Sequence, residues 1–207
     1  MQPKINYDKE MTNIISKLKD HKKLLLHSCC APCSSNCIER LTPYFDITIL
    51  YYNPNIEPYD EYIKRKNEEI RFIREYPSIN KLDIIDCDYD NEKFLDIAKG
   101  LEDEPERGKR CLKCYNLRME YTANKAKELG YDYFATTLTL SPLKDSQVLN
   151  NIGYAISKKI DIPYLPSDFK KNNGYQRSIE LSKEYNLYRQ NFCGCIYSKE
   201  KSISKDN

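Results

Sequence analysis

Nine cysteines stand out in this 207-residue chain, and they come in groups. Cys29, Cys30, Cys33 and Cys37 share one short stretch, Cys87 stands alone, Cys111 and Cys114 are three apart, and Cys193 and Cys195 flank a glycine. The leading segment MQPKINYDKEMTNIISKLKDHKK is charged throughout, without the apolar core of an export signal, and no apolar run approaches the roughly 20 residues of a membrane span. A cytoplasmic protein away from membranes is therefore expected. Its thiols should stay reduced and free of a disulfide framework. Three tight groups far apart in sequence have the pattern of ligands that folding brings together.

Cys111 and Cys114 fall at the start of an expected helix, where both thiols can face one way and the first-turn N–H groups favour thiolates. With Cys29 and Cys30 they make four thiolates from two arms, enough for a tetrahedral zinc or a [4Fe–4S] cluster. The directly vicinal pair favours iron–sulfur, because structural zinc usually takes both pairs with spacers. Lys109, Arg110, Lys113 and Arg118 surround the second pair and offer compensating charge. Cys193-Gly194-Cys195 can close as an easily reduced disulfide, hold a second metal, or simply pack beside Phe192.

Two rival readings stay open on the residues alone. Cys30-Ala-Pro-Cys33 between a strand and a helix has the form of a thioredoxin-like dithiol, which leaves the other pairs without a use. A zinc-stapled RNA-binding module would make all three groups structural. Cys87, in the apolar run LDIIDC, is expected in the core. Cys37 faces the site or packs, and His27 either hydrogen-bonds a metal-bound sulfur or is an ordinary strand histidine.

These groups need elements to position them. LLLHS (24–28), ITILYY (47–52), LDIIDC (82–87) and YFATTL (133–138) read as strands. Helical spacing follows each of the first three, in CCAPCSSNCIERL, EPYDEYIKRKNEEIRFIREY and NEKFLDIAKGL, and runs again through CLKCYNLRMEYTANKAKELG, closed by Gly130. Ser141, Pro142 and Asp145 announce a further helix that runs to Lys158 and Lys159. Strands alternating with helices predict an α/β fold with a mostly parallel three-layer sheet, whose ligands bind beyond the carboxyl ends of the strands. Residues 1–22 read as a charged helical extension, 23–198 as one domain ending in a cysteine-bearing extension, and 199–207 as a frayed tail.

Absences narrow the function. There is no G-x-G-x-x-G or P-loop motif, and six scattered glycines cannot build either phosphate loop. A formal charge of +2 excludes a strongly basic nucleic-acid binder. The stretch from Phe169 to Arg177 does mix cations, amides and aromatics, as a surface for unpaired nucleotides or a plain solvated loop would.

From His27 to Ser198, the blocks HSCCAPCS, YYNPNIEPYDEY, EPERGKRCLKCYNLR, TANKAKELGYDYFATTLTLSPLKD, DFKKNNGYQRS and YRQNFCGCIYS occur in order. With these blocks the sequence resembles the epoxyqueuosine reductase QueH family. The resemblance implies a Rossmann-like fold similar to the adenine-nucleotide alpha-hydrolases, with HSCCAPCS in place of their nucleotide loop. It implies reduction of epoxyqueuosine to queuosine at the tRNA wobble position without cobalamin, by a protein carrying a [4Fe–4S] cluster and an additional iron. Removing an epoxide oxygen takes two electrons and two protons, so an electron donor and a second redox or Lewis-acid centre are expected.

On that footing Cys29, Cys30, Cys111 and Cys114 hold the cluster. Cys193 and Cys195 act as a redox dithiol or, with Cys33, as ligands of the second iron. An alternative splits Cys29 and Cys30 between the two centres, with Cys193 completing the cluster. Asp168 or a nearby tyrosine delivers the proton, and Lys170, Lys171 and Arg177 contact tRNA phosphates or bases.

Overall fold

The computed structural model describes residues 4–198, so the tail expected over 199–207 lies outside the described residues. Strands β1 (Lys22–His27), β2 (Phe45–Tyr51), β3 (Leu82–Asp86) and β4 (Tyr133–Thr136) form one parallel sheet in the order β3-β2-β1-β4. Helices α1 (Tyr7–Ile15), α2 (Ala31–Leu41), α3 (Tyr59–Glu75), α4 (Asn91–Ala98), α5 (Lys109–Glu128), α6 (Ser146–Ile160) and α7 (Gly174–Glu184) cover it. Among the described residues no helix is long and apolar enough to cross a membrane.

The central strand shows why the layers form. Leu24, Leu25 and Leu26 are all 0 % exposed, as a strand buried on both faces requires. Leu24 and Leu26 enter one core with Met11 of α1, Ile38 and Leu41 of α2 and Phe72 of α3. Leu25 enters another with Met119 and Ala123 of α5 and Leu149 and Ile156 of α6. Each such leucine contributes roughly 1.5–3 kcal/mol relative to staying exposed. In register, His27 lies beside Leu50 of β2 and Thr136 of β4. The chain builds β2 and β3 on one side of β1, then crosses back to place β4 on the other. Such a reversal, here at the carboxyl ends of β1 and β4, is the place where open α/β sheets bind ligands.

Two expectations are corrected in detail, and one helix is added to them. The fourth strand stops at Thr136, because its hydroxyl accepts from Leu138 N–H and starts a tight 3-10 turn over Thr137–Leu140. Ser141 caps a turn, accepting from Leu143 N–H, while α6 starts at Ser146 with Asp145 accepting from Gln147 N–H. The last forty residues contain α7, whose buried side includes Ser178 and Ser182 and so shows little apolar period. Gly130 follows α5 with φ 69°, as its position after the expected helix end requires.

Glu69 is a polar residue left in this core. It is 0 % exposed on α3, and both carboxyl oxygens are buried without a hydrogen-bond partner. Burial pushes its pKa up from 4.5 to about 8, with nearby Cys29 adding to the effect. The folded protein therefore holds this proton more tightly than the unfolded chain does. The stability this proton provides is complete below about pH 4.5 and drains away as pH rises toward 8, by about 1.4 kcal/mol per unit. Glu69→Gln is expected to flatten that slope and to stabilise the protein at pH 8 more than at pH 5, as read by urea unfolding at both values.

Candidate metal centre

The turn between β1 and α2 carries the first cysteine group. Ser28 N–H still bonds Leu50 O of the sheet, and Asn53 of the β2 exit donates to Ser28 O at 2.8 Å. Cys30 then takes an extended conformation as the residue capping α2, whose first-turn N–H groups of Cys33 and Ser34 bond back to Cys30 O at 2.9 and 3.1 Å. Pro32 fits there because the first helical turn needs no N–H from it. The result points Cys29, Cys30 and Cys33 at one another: their sulfurs all lie within 4.8 Å, with Cys29 Sγ 3.8 Å from Cys30 Sγ. Among the described residues no other group of three or more His, Cys, Asp or Glu ligand atoms is gathered this closely. Cys33 thus joins the vicinal pair as a third sulfur within 4.8 Å.

The three thiols do not share their protons evenly. Cys29 is held well below the ordinary thiol pKa, first by the Cys30 thiol that hydrogen-bonds it, then by Cys33 and by the charges of Lys144 and Arg118. Cys30 and Cys33 are correspondingly raised, chiefly by their bonds to Cys29. A thiol whose pKa is pulled down by two hydrogen-bonded neighbours is an arrangement ready to exchange protons for a metal.

Cys111 and Cys114 open α5, and Cys114 packs with Cys195 and Phe94 in a small apolar cluster. Burial pushes Cys114 up to about 12, and Cys193, Cys195 and Cys111 all lie near enough to affect it. Arg118, one turn further on the same face, is 1 % exposed and donates from Nε to Cys114 O at 3.4 Å. Its burial opposes the charge, but Cys114, Cys193 and Cys29 outweigh it and raise the pKa. Arg118 Nη2 is buried without a partner. Of the four cations expected around this pair, Arg118 alone faces the cysteines. Arg110 instead bonds the carbonyls of Leu101 and Glu102 at 2.8 Å and lies over the Tyr197 ring, while Lys109 and Lys113 are exposed.

The third group is strapped to α3. Arg65, 1 % exposed, pairs with Glu61 at 2.6 Å, donates to Cys193 O at 3.1 Å and lies over the Phe192 ring at 4.9 Å. Glu57 N–H donates to Gly194 O at 2.8 Å. Gly194 has φ 119°, and a Cβ there would press on Ile56 and Arg65, so glycine is required on both counts. Arg65→Ala is expected to free this strap while leaving the sheet intact. Hydrogen exchange should rise about 10-fold or more across residues 188–195, for a local opening free-energy loss of at least about 1.4 kcal/mol, with little change in β1 and β2.

Lys144 closes the ring from the loop before α6. It is half-buried, and although burial opposes its charge, Cys193, Tyr115, Cys29 and Cys33 raise its pKa. The structure thus groups Cys29 with Cys30 and Cys33, packs Cys114 with Cys195 and ties Cys193 O to Arg65, and the charge of Arg118 acts on cysteines of all three groups. All nine cysteines are free thiols. Cys37 is 0 % exposed and donates from Sγ to Cys33 O, and Cys87 lies in the α5 core with burial pushing its pKa up to about 11. His27 is an ordinary strand histidine: its ring nitrogens meet Thr136 Oγ1 at 3.1 Å and Tyr52 O at 3.2 Å.

Asp168 is occupied by its neighbours, accepting from Ser146 Oγ at 3.0 Å and pairing with Lys170 at 3.0 Å. Lys170 also donates to Thr139 O and Lys144 O, which anchors the loop carrying Lys144. Arg177 pairs with Glu39, Glu180 and Glu184, whereas Lys171 is exposed and has no carboxylate partner among the described residues. Sequence reading missed Arg65, Lys144 and Gln190, all of which bear on the cysteines. The available signals were Gln190 three residues before Cys193, and an arginine at i+4 from Glu61 on a helix that has to cover a sheet edge. A cavity of about 860 Å³ lies along the other side of α5 between Tyr52, Leu112, Tyr121 and Ile152, and no cysteine lines it.

A family model described as epoxyqueuosine reductase QueH matches residues 24–201. The chain is 45 % identical over 205 residues to the epoxyqueuosine reductase QueH of Staphylococcus epidermidis, covering 96 % of this chain and 86 % of the relative. It is 45 % identical over 200 residues to that of Streptococcus pyogenes, covering 94 % and 78 %. To that of Thermotoga maritima it is 36 % identical over 181 residues, covering 84 % and 89 %.

Proposed function

The chain belongs to the epoxyqueuosine reductase QueH family and is an oxidoreductase of queuosine biosynthesis that acts on tRNA; we propose that it reduces epoxyqueuosine at a thiolate-held iron centre in the cysteine pocket. Cys29, Cys30, Cys111 and Cys114 would hold a [4Fe–4S] cluster, and Cys193 and Cys195 would serve as a redox dithiol or, with Cys33, as ligands of an additional iron. The observation that carries this reading is the buried Arg118. Its charge is supported by sulfurs from all three groups, and its Nη2 has no partner in the thiol state. A set of metal-bound thiolates supplies the missing negative charge, and Arg65 and Lys144 help to balance it. When bound, the cluster passes single electrons and a further iron would act as a Lewis acid toward the epoxide oxygen.

The protein's own groups divide the remaining work. Lys144 Nζ, the half-buried cation facing Cys29, Cys33 and Cys193, holds a proton for the departing oxygen. Asp168, offered by the sequence as a proton donor, pairs with Lys170, which fixes the Lys144 loop. Arg65 keeps Cys193 and Cys195 in the pocket while their oxidation state changes. Lys171 is the exposed cation placed for a tRNA phosphate, and a cytoplasmic setting supplies that tRNA.

Anaerobic purification followed by iron and acid-labile sulfide analysis, with turnover of epoxyqueuosine tRNA under a chemical reductant, tests the reading. Brown protein with both elements and activity is expected; colourless protein holding zinc alone would end the iron proposal. Cys193→Ser is expected to keep the cluster absorption and lose turnover, and loss of absorption would move Cys193 among the cluster ligands.

A further inference from the structure

Residues 185–195, after α7, lack regular structure, yet they are fastened at several points. Tyr188 N–H donates to Glu68 at 2.7 Å and its hydroxyl to Glu61, while Arg189 donates to Ser178 O and Ser182 Oγ. Arg65 fixes the carbonyls of Phe192 and Cys193. Between these anchors Gln190 extends its amide into the cysteine turn, where Nε2 lies 2.9 Å from Cys30 Sγ. Its Oε1 is buried without a hydrogen-bond partner. An apolar side chain would fill the same space without leaving a buried carbonyl unpaired, so packing alone does not account for an amide here.

We propose that Gln190 is a positioning residue of the metal centre, its side-chain N–H holding Cys30 Sγ in its ligating orientation and tuning that sulfur's electron donation. The inference rests on the thiolate-centre reading. Cys30 Sγ accepts this N–H as a thiol, and as a metal-bound thiolate it would accept it more strongly and repel a carbonyl oxygen in its place. A donor on a ligand sulfur withdraws charge from it and stabilises the more reduced state of whatever metal it holds, while also fixing the ligand's direction.

The test compares Gln190→Leu, which keeps bulk and removes the donor, with Gln190→Glu, which keeps shape and presents only acceptors when ionised. Iron-free full-length protein is titrated anaerobically with Co²⁺, a probe that needs no cluster assembly. Both variants are expected to bind Co²⁺ about 10- to 100-fold more weakly than the parent, the range typical of losing an outer hydrogen-bond partner. The thiolate-to-cobalt band should move to lower energy. On reconstituted protein the midpoint potential should fall, a tenfold change for a one-electron couple being about 59 mV. A residue that only packs would leave band energy and potential unmoved in any variant that folds, and that outcome in both would overturn the proposal. A parent protein that binds neither Co²⁺ nor iron through Cys30, judged against Cys30→Ser, would overturn the centre itself and the inference with it. Parent binding with unaltered variants would sink the inference alone.

Discussion

Cys30→Ala is expected to strip the protein of iron and sulfide and to end epoxyqueuosine reduction, while Cys87→Ala keeps both. The contrast isolates position from residue type, since both are buried cysteines. The Cys30 sulfur lies within 4.8 Å of two others and receives the Gln190 amide, whereas Cys87 packs in the α5 core. Removing Cys30 also takes away the thiol that does most to hold Cys29 as a thiolate, so two donors weaken together. Turnover should therefore drop by more than the roughly 100-fold that loss of an outer partner costs a metal site. Cys87→Ala loses only packing, about 1 kcal/mol. Metal analysis and turnover on the two purified variants decide the matter, and a Cys30→Ala protein that retains iron and activity would remove the β1–α2 turn from the centre.

Arg118→Met is expected to weaken metal retention by roughly 100-fold to several thousand-fold, corresponding to the 3–5 kcal/mol lost when one partner of a buried charge pair is removed. The loss should appear in the metal-loaded protein and be small without metal. In the metal-free state the thiols can take up protons, so few negative charges are stranded. Once the sulfurs are bound as thiolates, Arg118 is the fully buried cation in reach of Cys29, Cys114 and Cys193. Chelator-challenge kinetics and urea unfolding with and without metal separate the two states. Arg118→Lys, which keeps the charge but not the planar fork, should fall between. Equal destabilisation of both states by Arg118→Met would make the guanidinium a packing element only.

The contrast between Arg118 and its neighbours shows what residue types can and cannot reveal. Lys109, Arg110, Lys113 and Arg118 are equally plausible partners for the cysteine pair on paper, because a helix drawn in isolation has no preferred side. Packing against β1 and β4 turns Arg118 inward, sends Arg110 to the loop before α5 and leaves the two lysines in solvent. Similarly, Asp168, Lys170 and Arg177 have suitable chemistry for protonation or RNA contact, but each has a nearby partner of opposite charge in the fold. Only Lys171 is left exposed and without one among the described residues.

The alternation of strands and helices, the parallel sheet and the cysteine turn at a strand's carboxyl end were legible in the chain itself. Those features follow from local rules: apolar runs, helix-start and helix-stop residues, and the period of side chains along each element. Helix α7 was not legible, since a face built partly of serines buried against α2 has little apolar period to detect. The strap through Arg65, the inward Lys144 and the amide of Gln190 on Cys30 were decided by tertiary structure alone. They join residues separated by as many as 160 positions, and proximity across such distances is set by how the layers stack.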